Sequence, residues 1–245
     1  MSKWKGIITL VAVGNPLFYL VAIGIGIGVL VAENSGTSGT GGVEYIVFIA
    51  PALLANTALL GAMDETVFPV MEGFKWRKMF YATNSTPITG PQIALGVFIA
   101  AIVRVAFSVL LYWIFLIAFG VMSFQDSWLA PIVAMYGGAA FGALMMGIVA
   151  GVQKDDYFLT VLGRLIITPL FLFSGTFFPL TNMPIYLQPI GWISPLWHTT
   201  ELGRYFSYGY EVSGLMLMIH FLVLTAMLVA GIKIANIRFT NRLLK

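Results

Sequence analysis

The amino-acid sequence predicts an all-α integral membrane protein with six transmembrane helices. Three observations carry that reading. Of 245 residues, 59% are hydrophobic and 9% charged, whereas soluble domains carry about 25% charged residues. Uncharged apolar stretches recur at lengths sufficient to cross the bilayer, which takes about 20 helical residues. The Lys and Arg residues gather in the short polar segments between those stretches, as loops on one side of a membrane require.

Taken in order, residues 11–32 (VAVGNPLFYLVAIGIGIGVLVA) carry no charge and predict the first span, with Gly24 and Gly28 in a G-x-x-x-G spacing that permits close helix packing. Lys3 and Lys5 precede an apolar run long enough to span and without an A-x-A-like exit, so no cleavable signal peptide is expected. A flexible ENSGTSGTGG loop leads to a second span over about 43–63, with Glu44 near one end. Residues 64–90 then form the one long polar interruption. Within it, Trp76, Met79, Phe80 and Thr83 follow i, i+3, i+4, i+7 spacing beside Lys75 and Lys78, which predicts a short amphipathic helix over about 70–82. Such a helix lies on the membrane surface or docks on a partner.

Thr89 and Gln92 have capping-box spacing and mark the start of a third span over 91–119. The fourth, 129–151, is uncharged and rich in small residues, Gly137, Gly138, Ala139, Ala140, Gly142 and Ala143, which favour backbone approach to another helix. A compact QKDDYF loop precedes a fifth span over about 162–178, with Arg164 near its start. Pro179, Pro184, Pro189 and Pro195 then interrupt an uncharged stretch, since each removes a donor and clashes with a preceding turn. The expectation is a short outer helix around 184–188, a turn, and a second helix capped by Ser194, begun at Pro195 and running to about Phe206. The sixth span covers about 212–232 and leads into the basic tail KIANIRFTNRLLK. The whole chain, 1–245, is expected to be one transmembrane domain.

Charge placement sets the orientation. With both termini cytoplasmic, that side holds Lys3, Lys5, Lys75, Arg77, Lys78, Lys154, Lys233, Arg238, Arg242 and Lys245, while Arg204 alone lies outside. Arg104 stands well inside the third span, where a charge faces a polar cavity and an anionic head group, or snorkels and packs on a neighbouring carbonyl. Glu44 and His220 are weaker intramembrane candidates. The aromatic density of Tyr186, Trp192, Trp197, Tyr205 and Tyr208 suits an outer membrane interface, where Trp192, Trp197, His198, Glu201 and Arg204 are candidates for an outer gate. Asp64, Glu65 and Glu72 read as acceptors for helix N–H groups or as interfacial pairs rather than metal ligands. Ser194 and His198 invite a hydrolase reading, but Ser194 has a capping role and no orienting acid is recognisable. With no Cys, thiolate chemistry is excluded, and no basic stripe on a soluble fold suggests nucleic acid. No G-x-x-x-x-G-K-[ST] run is present, so any driving ATP binds to another polypeptide. No cofactor or metal is assigned to this chain.

The segments NPLFYLVAIGIGIG at 15–28, TNSTPITG at 83–90 and FSGTFFPLTNMPIYLQPIGWISPLWHTTELGRYF at 173–206 carry a resemblance. The chain resembles the permease of a type-2 ABC exporter, in the branch of nodulation-factor lipooligosaccharide and drug-resistance exporters. That resemblance implies a six-span permease that pairs with a second permease, as homodimer or heterodimer, and with two cytoplasmic ATPases that bind ATP and Mg. It implies a coupling helix at about 70–82, with Lys75, Trp76, Lys78, Met79 and Phe80 at the ATPase interface, and short outer helices after the fifth span that dip into the membrane near the exit. The implied activity is export of an amphiphile (a glycolipid, lipid-linked saccharide or hydrophobic drug) across a bacterial or archaeal cytoplasmic membrane. Many relatives have a longer amphipathic helix before the first span, where this chain has only MSKWKGIITL. The alternatives are a secondary transporter or channel without an ATPase, and a structural membrane module.

Overall fold

The computed structural model describes residues 42–153 and 157–244, with isolated positions between 14 and 40. Most of the predicted first span, including Gly24 of its G-x-x-x-G motif, lies outside the described residues, as do Lys3, Lys5, Lys154, Asp155, Asp156 and Lys245. Among the described residues all regular structure is helical. Helix α1 (Tyr45–Met71) continues through a π turn at Glu72–Trp76, and α2 (Met79–Asn84) follows. Helix α3 (Gly90–Ala118) leads by the short α4 (Phe124–Ser127) into α5 (Ala130–Ala150). A broken helix, α6 (Phe158–Val161), a π segment (Leu162–Ile167) and α7 (Thr168–Phe173), comes next. The chain ends with α8 (Gln188–Ile193), α9 (Pro195–Tyr208) and α10 (Gly214–Leu243).

Among the described residues, four helices are long and apolar enough to cross a membrane: Tyr45–Trp76, Gly90–Ala118, Phe124–Ala150 and Gly214–Leu243, with a shorter apolar helix at Phe158–Phe173. They form a bundle whose two ends differ. One carries α2 and is called the α2 end; the other carries α8 and α9 and is called the α9 end. Local chemistry starts two of these helices as the sequence predicts. Gln92 Oε1 accepts the Thr89 N–H at 2.8 Å and completes a capping box at α3. Ser194 Oγ accepts the Leu196 N–H at 3.1 Å and caps α9.

Helices α1 and α5 form the centre. Their most apolar windows are 67% buried, against 28% for α3 and 17% for α10. Small residues explain the position of α5. A Cβ on Gly138 would lie 2.8 Å from the Ala58 carbonyl oxygen of α1, and one on Gly231 of α10 only 2.4 Å from Leu144 N. Backbone therefore meets backbone on two sides of α5, a packing that larger side chains would prevent. Aliphatic and aromatic side chains of α1, α3 and α5, among them Phe48, Leu53, Tyr112 and Leu116, fill the remaining core.

Several boundaries differ from the sequence expectation. The helix expected to end at 63 runs to Trp76, because Asp64 and Glu65 do not break the helical backbone and Pro69 is accommodated inside it. The amphipathic helix expected over 70–82 is two pieces. Lys78 adopts φ 55° between Trp76 and α2, and a left-handed residue cannot continue a right-handed helix. The fifth apolar helix stops at Phe173 instead of 178, ahead of Gly175 with φ +71°. The short outer helix expected around 184–188 sits at Gln188–Ile193, where Pro189 occupies the first turn, after a 3-10 turn at Leu180–Asn182. The last helix continues to Leu243 rather than 232, held by contacts with α5 described below.

Candidate functional site

At the α9 end, the polar residues predicted for an outer gate come together inside the protein. Arg204 is fully buried. Its Nη1 donates to Glu201 Oε1 at 2.8 Å, its Nη2 to the carbonyls of Gly175 and Thr176 at 2.8 and 3.4 Å, and its Nε to the Phe48 carbonyl at 3.3 Å. The guanidinium also lies 3.7 Å from the centroid of the Phe48 ring, a favourable placement for a desolvated cation. One side chain thus ties α9 to α1 and to the loop after α7. The Glu201–Arg204 spacing of i, i+3 was a readable signal for that pair; the carbonyl acceptors, over a hundred residues away for Phe48, had none.

His198 and His220 meet next to this cluster. Their Nδ1 atoms are 2.7 Å apart, and His198 Nε2 lies 3.0 Å from the Trp192 carbonyl. A carbonyl only accepts, so His198 carries its proton on Nε2. Neutral His198 then offers a bare Nδ1, and His220 Nδ1–H is the donor. Burial holds His198 below the ordinary imidazole range, with the Trp192 carbonyl opposing, which agrees with the neutral tautomer. The Trp197 ring packs 4.9 Å from both imidazoles. Trp192 itself is half exposed. His198 commits both ring nitrogens in this way, and Ser194 Oγ accepts from Ser174 Oγ at 2.6 Å. The two residues of the hydrolase reading are thus engaged elsewhere. A cavity of ≈ 550 Å³, lined in part by Ser123, Asp126, Ser207 and Tyr208, opens beside the end of α9. Glu44 is exposed at the N-cap position of α1 and makes no side-chain cap bond.

The α2 end has the opposite character. Trp76 and Met79 are 49% and 46% exposed, and Phe68 and Tyr81 are exposed beside them. Lys75 stands in the π turn, Lys78 is exposed at the break, and Arg77 pairs with Glu72 at 2.8 Å. Phe80 departs from the predicted stripe: it turns inward at 9% exposure, edge-on to Phe74 at 5.0 Å and against Phe239 of α10 at 5.6 Å. The left-handed Lys78 rotates α2 relative to the preceding turn, so Trp76 and Phe80 no longer share a face. Arg238 and Arg242 of α10 donate to the last carbonyls of α5 and the turn after it: Gly147, Ile148, Ala150 and Val152, at 2.9 to 3.0 Å. These cations satisfy acceptors that a helix C-terminus leaves open.

Arg104 lies on α3 and pairs with Glu65 of α1 at 2.5 Å, its side chain 61% exposed and that of Glu65 33%. The partner is a carboxylate, which neither sequence reading of Arg104 named. The 39-residue separation left no local signal.

Residues 2–208 match the ABC-2 type transporter family. The chain belongs to that family. Among curated relatives it is 31% identical to Nodulation protein J of Rhizobium leguminosarum bv. trifolii over 207 residues, 81% of this chain and 73% of that protein. It is 28% identical to Nodulation protein J of Rhizobium leguminosarum bv. viciae, over 92% of this chain and 89% of the relative. Against the Probable multidrug ABC transporter permease YbhR of Escherichia coli (strain K12) identity is 25%, over 66% of this chain and 44% of that protein. No solved structure matches the chain. The protein is thus a multi-pass membrane permease of the ABC exporter type.

Proposed function

We propose that this permease exports an amphiphile, such as a glycolipid, lipid-linked saccharide or hydrophobic drug, across a bacterial or archaeal cytoplasmic membrane. Two ABC ATPases dock at its α2 end, bind ATP and Mg, and drive it together with a second permease. The observation that carries this reading is the contrast in basic charge between the two ends. Among the described residues, Lys75, Arg77, Lys78, Lys233, Arg238 and Arg242 lie toward the α2 end, whereas Arg204, fully buried, is the cation of the α9 end. That distribution supports a cytoplasmic α2 end. The same end exposes Trp76 and Met79, residue types that anchor protein interfaces. With the apolar segment 11–32 and the shorter helix at Phe158–Phe173 counted, six spans bring both termini to the cytoplasmic side.

In this reading α8 and α9 form the outer gate, with Trp192, Trp197, His198, Glu201 and Arg204 as its framework, and Lys75, Trp76, Lys78 and Met79 form the ATPase contact. Phe80 supports that contact from behind. Arg104, with Glu65, is a candidate for the substrate path. The test is reconstitution with the ATPase that co-purifies under mild detergent. ATP-dependent movement of a short-chain fluorescent glycolipid or of ethidium into inverted vesicles is expected. Failure to retain any ATPase with Walker motifs, or transport driven by an ion gradient without ATP, contradicts the reading.

A further inference from the structure

Helix α10 is the most exposed of the four spanning helices along its apolar length, yet both of its ends are locked into buried clusters. At the α2 end Phe239 is fully buried, 4.8 Å from Phe74 and 5.6 Å from Phe80. Thr240 backbone sits where a Cβ on Gly90 would reach, 3.0 Å away, so α10 also abuts the start of α3. At the α9 end His220 is 1% exposed and bonds to His198 of α9. Between them the helix is uninterrupted. Nineteen residues at 1.5 Å each separate the two side chains by about 28 Å, close to the thickness of the hydrocarbon core.

Two further contacts make α10 and α5 a single body. The Gly231 backbone crosses Ala143 and Leu144 of α5 with no room for a Cβ. Arg238 and Arg242 hold the last carbonyls of α5. The opposite end of that body reaches α9 twice, through His220 and through Gly137 of α5, whose missing Cβ is replaced by the Thr199 side chain. The contacts thus run from Phe74 and Phe80 to α9 without passing through a loop.

We propose that α10, clasped to α5, is the strut that carries motion of the cytoplasmic coupling segment to the outer gate, with Phe239 and His220 as positioning residues at its ends. The proposal rests on the ATPase-driven reading given above. It accounts for two otherwise unused features, the helical continuation past 232 and the pairing of two histidines 22 residues apart.

The absence of Cys permits a direct test. Thr181, exposed in the turn before α8, is replaced as Thr181→Cys, and its labelling by a membrane-impermeant maleimide is measured in vesicles carrying the permease and its ATPase. Rates are compared without nucleotide and with ATP plus vanadate. The strut predicts a nucleotide-dependent change that falls about fivefold or more in Phe239→Ala and in His220→Ala. The double variant is expected to be no worse than the more severe single one, as for residues acting in one line. Phe239→Leu, which refills the cluster, and His220→Asn, whose amide N–H can donate to His198 Nδ1, are expected to restore the response. A response that survives both alanine substitutions, losses that add, or losses that neither conservative variant restores would overturn the strut while leaving ATP-driven transport standing. A wild-type complex with no ATP-dependent transport overturns the ATPase reading, and the strut with it.

Discussion

The two ends of this permease handle polar groups in opposite ways. At the α9 end one ion pair and one histidine pair are buried and bonded inside the chain: Arg204 has four oxygen acceptors and a ring beneath it, and His198 bonds to His220. At the α2 end the inward groups are phenylalanines, and Lys78, Trp76 and Met79 remain exposed. An end whose polar groups are internally paired keeps a shape of its own. An end that leaves cations uncovered is suited to be completed by something else. That contrast separates stabilising residues from contact residues before any transport is measured.

The sharpest way to break the comparison is at Arg204. Removing one member of a buried ion pair leaves its partner uncompensated and costs about 3–5 kcal/mol. Arg204→Ala should accordingly lower the melting temperature in mild detergent more than any substitution at the α2 surface. Next comes Phe80→Ala, which empties the cluster with Phe74 and Phe239 and is expected to cost about 3 kcal/mol. A melting temperature equal to wild type for Phe80→Ala would place the ring outside that cluster.

A third expectation concerns pH. Burial lowers His198 from its ordinary 6.5, so the folded protein binds fewer protons there than the unfolded chain. This contribution to stability is complete above the ordinary value and is lost as pH falls below it toward the depressed folded one. The facing groups are His220 from α10 and the Trp192 carbonyl from α8. Thermal melts on either side of pH 6.5 should show a drop on acidification that shrinks in His198→Asn. An unaltered drop in that variant would assign the effect to other groups. Smaller again is Arg104→Leu. Its pair with Glu65 is largely exposed, and such pairs contribute at most about 1 kcal/mol. The folded variant then isolates any effect on substrate choice, read as the ratio of transport for an anionic and a neutral amphiphile. An unchanged ratio removes Arg104 from the substrate path.

What was legible in the sequence is what depends on near neighbours. Thr89 with Gln92, and Ser194 before Pro195, announced their helix starts because a cap is satisfied within three residues. The small-residue run in α5 announced close packing, although only the fold shows that Gly138 meets α1 and that Gly137 meets Thr199 of α9. The inward turn of Phe80 was hidden, because periodicity assumes one continuous helix and Lys78 gave no sign of a positive φ. Arg104 with Glu65, His198 with His220 and Arg238 with the α5 carbonyls were hidden for a different reason. Each joins helices whose register against one another is set by packing of the whole bundle. Arg238 and Arg242, which charge counting alone assigns to cytoplasmic anchoring, are also helix-terminus ligands.

On stability the smallest effect of all is expected of Trp76→Ala combined with Met79→Ala, since both side chains are about half exposed and the Trp76 ring lies 6.4 Å from that of Phe68, itself exposed. Their effect on the ATPase should be the largest. Affinity of the purified permease for its ATPase, measured in nanodiscs together with the melting temperature, therefore tests the central claim that the α2 end is the surface completed by a partner. The account predicts that the double variant binds at least about tenfold more weakly, as loss of aromatic anchors at an interface does, with a melting temperature within about two degrees of wild type. Wild-type affinity in the folded double variant would contradict it.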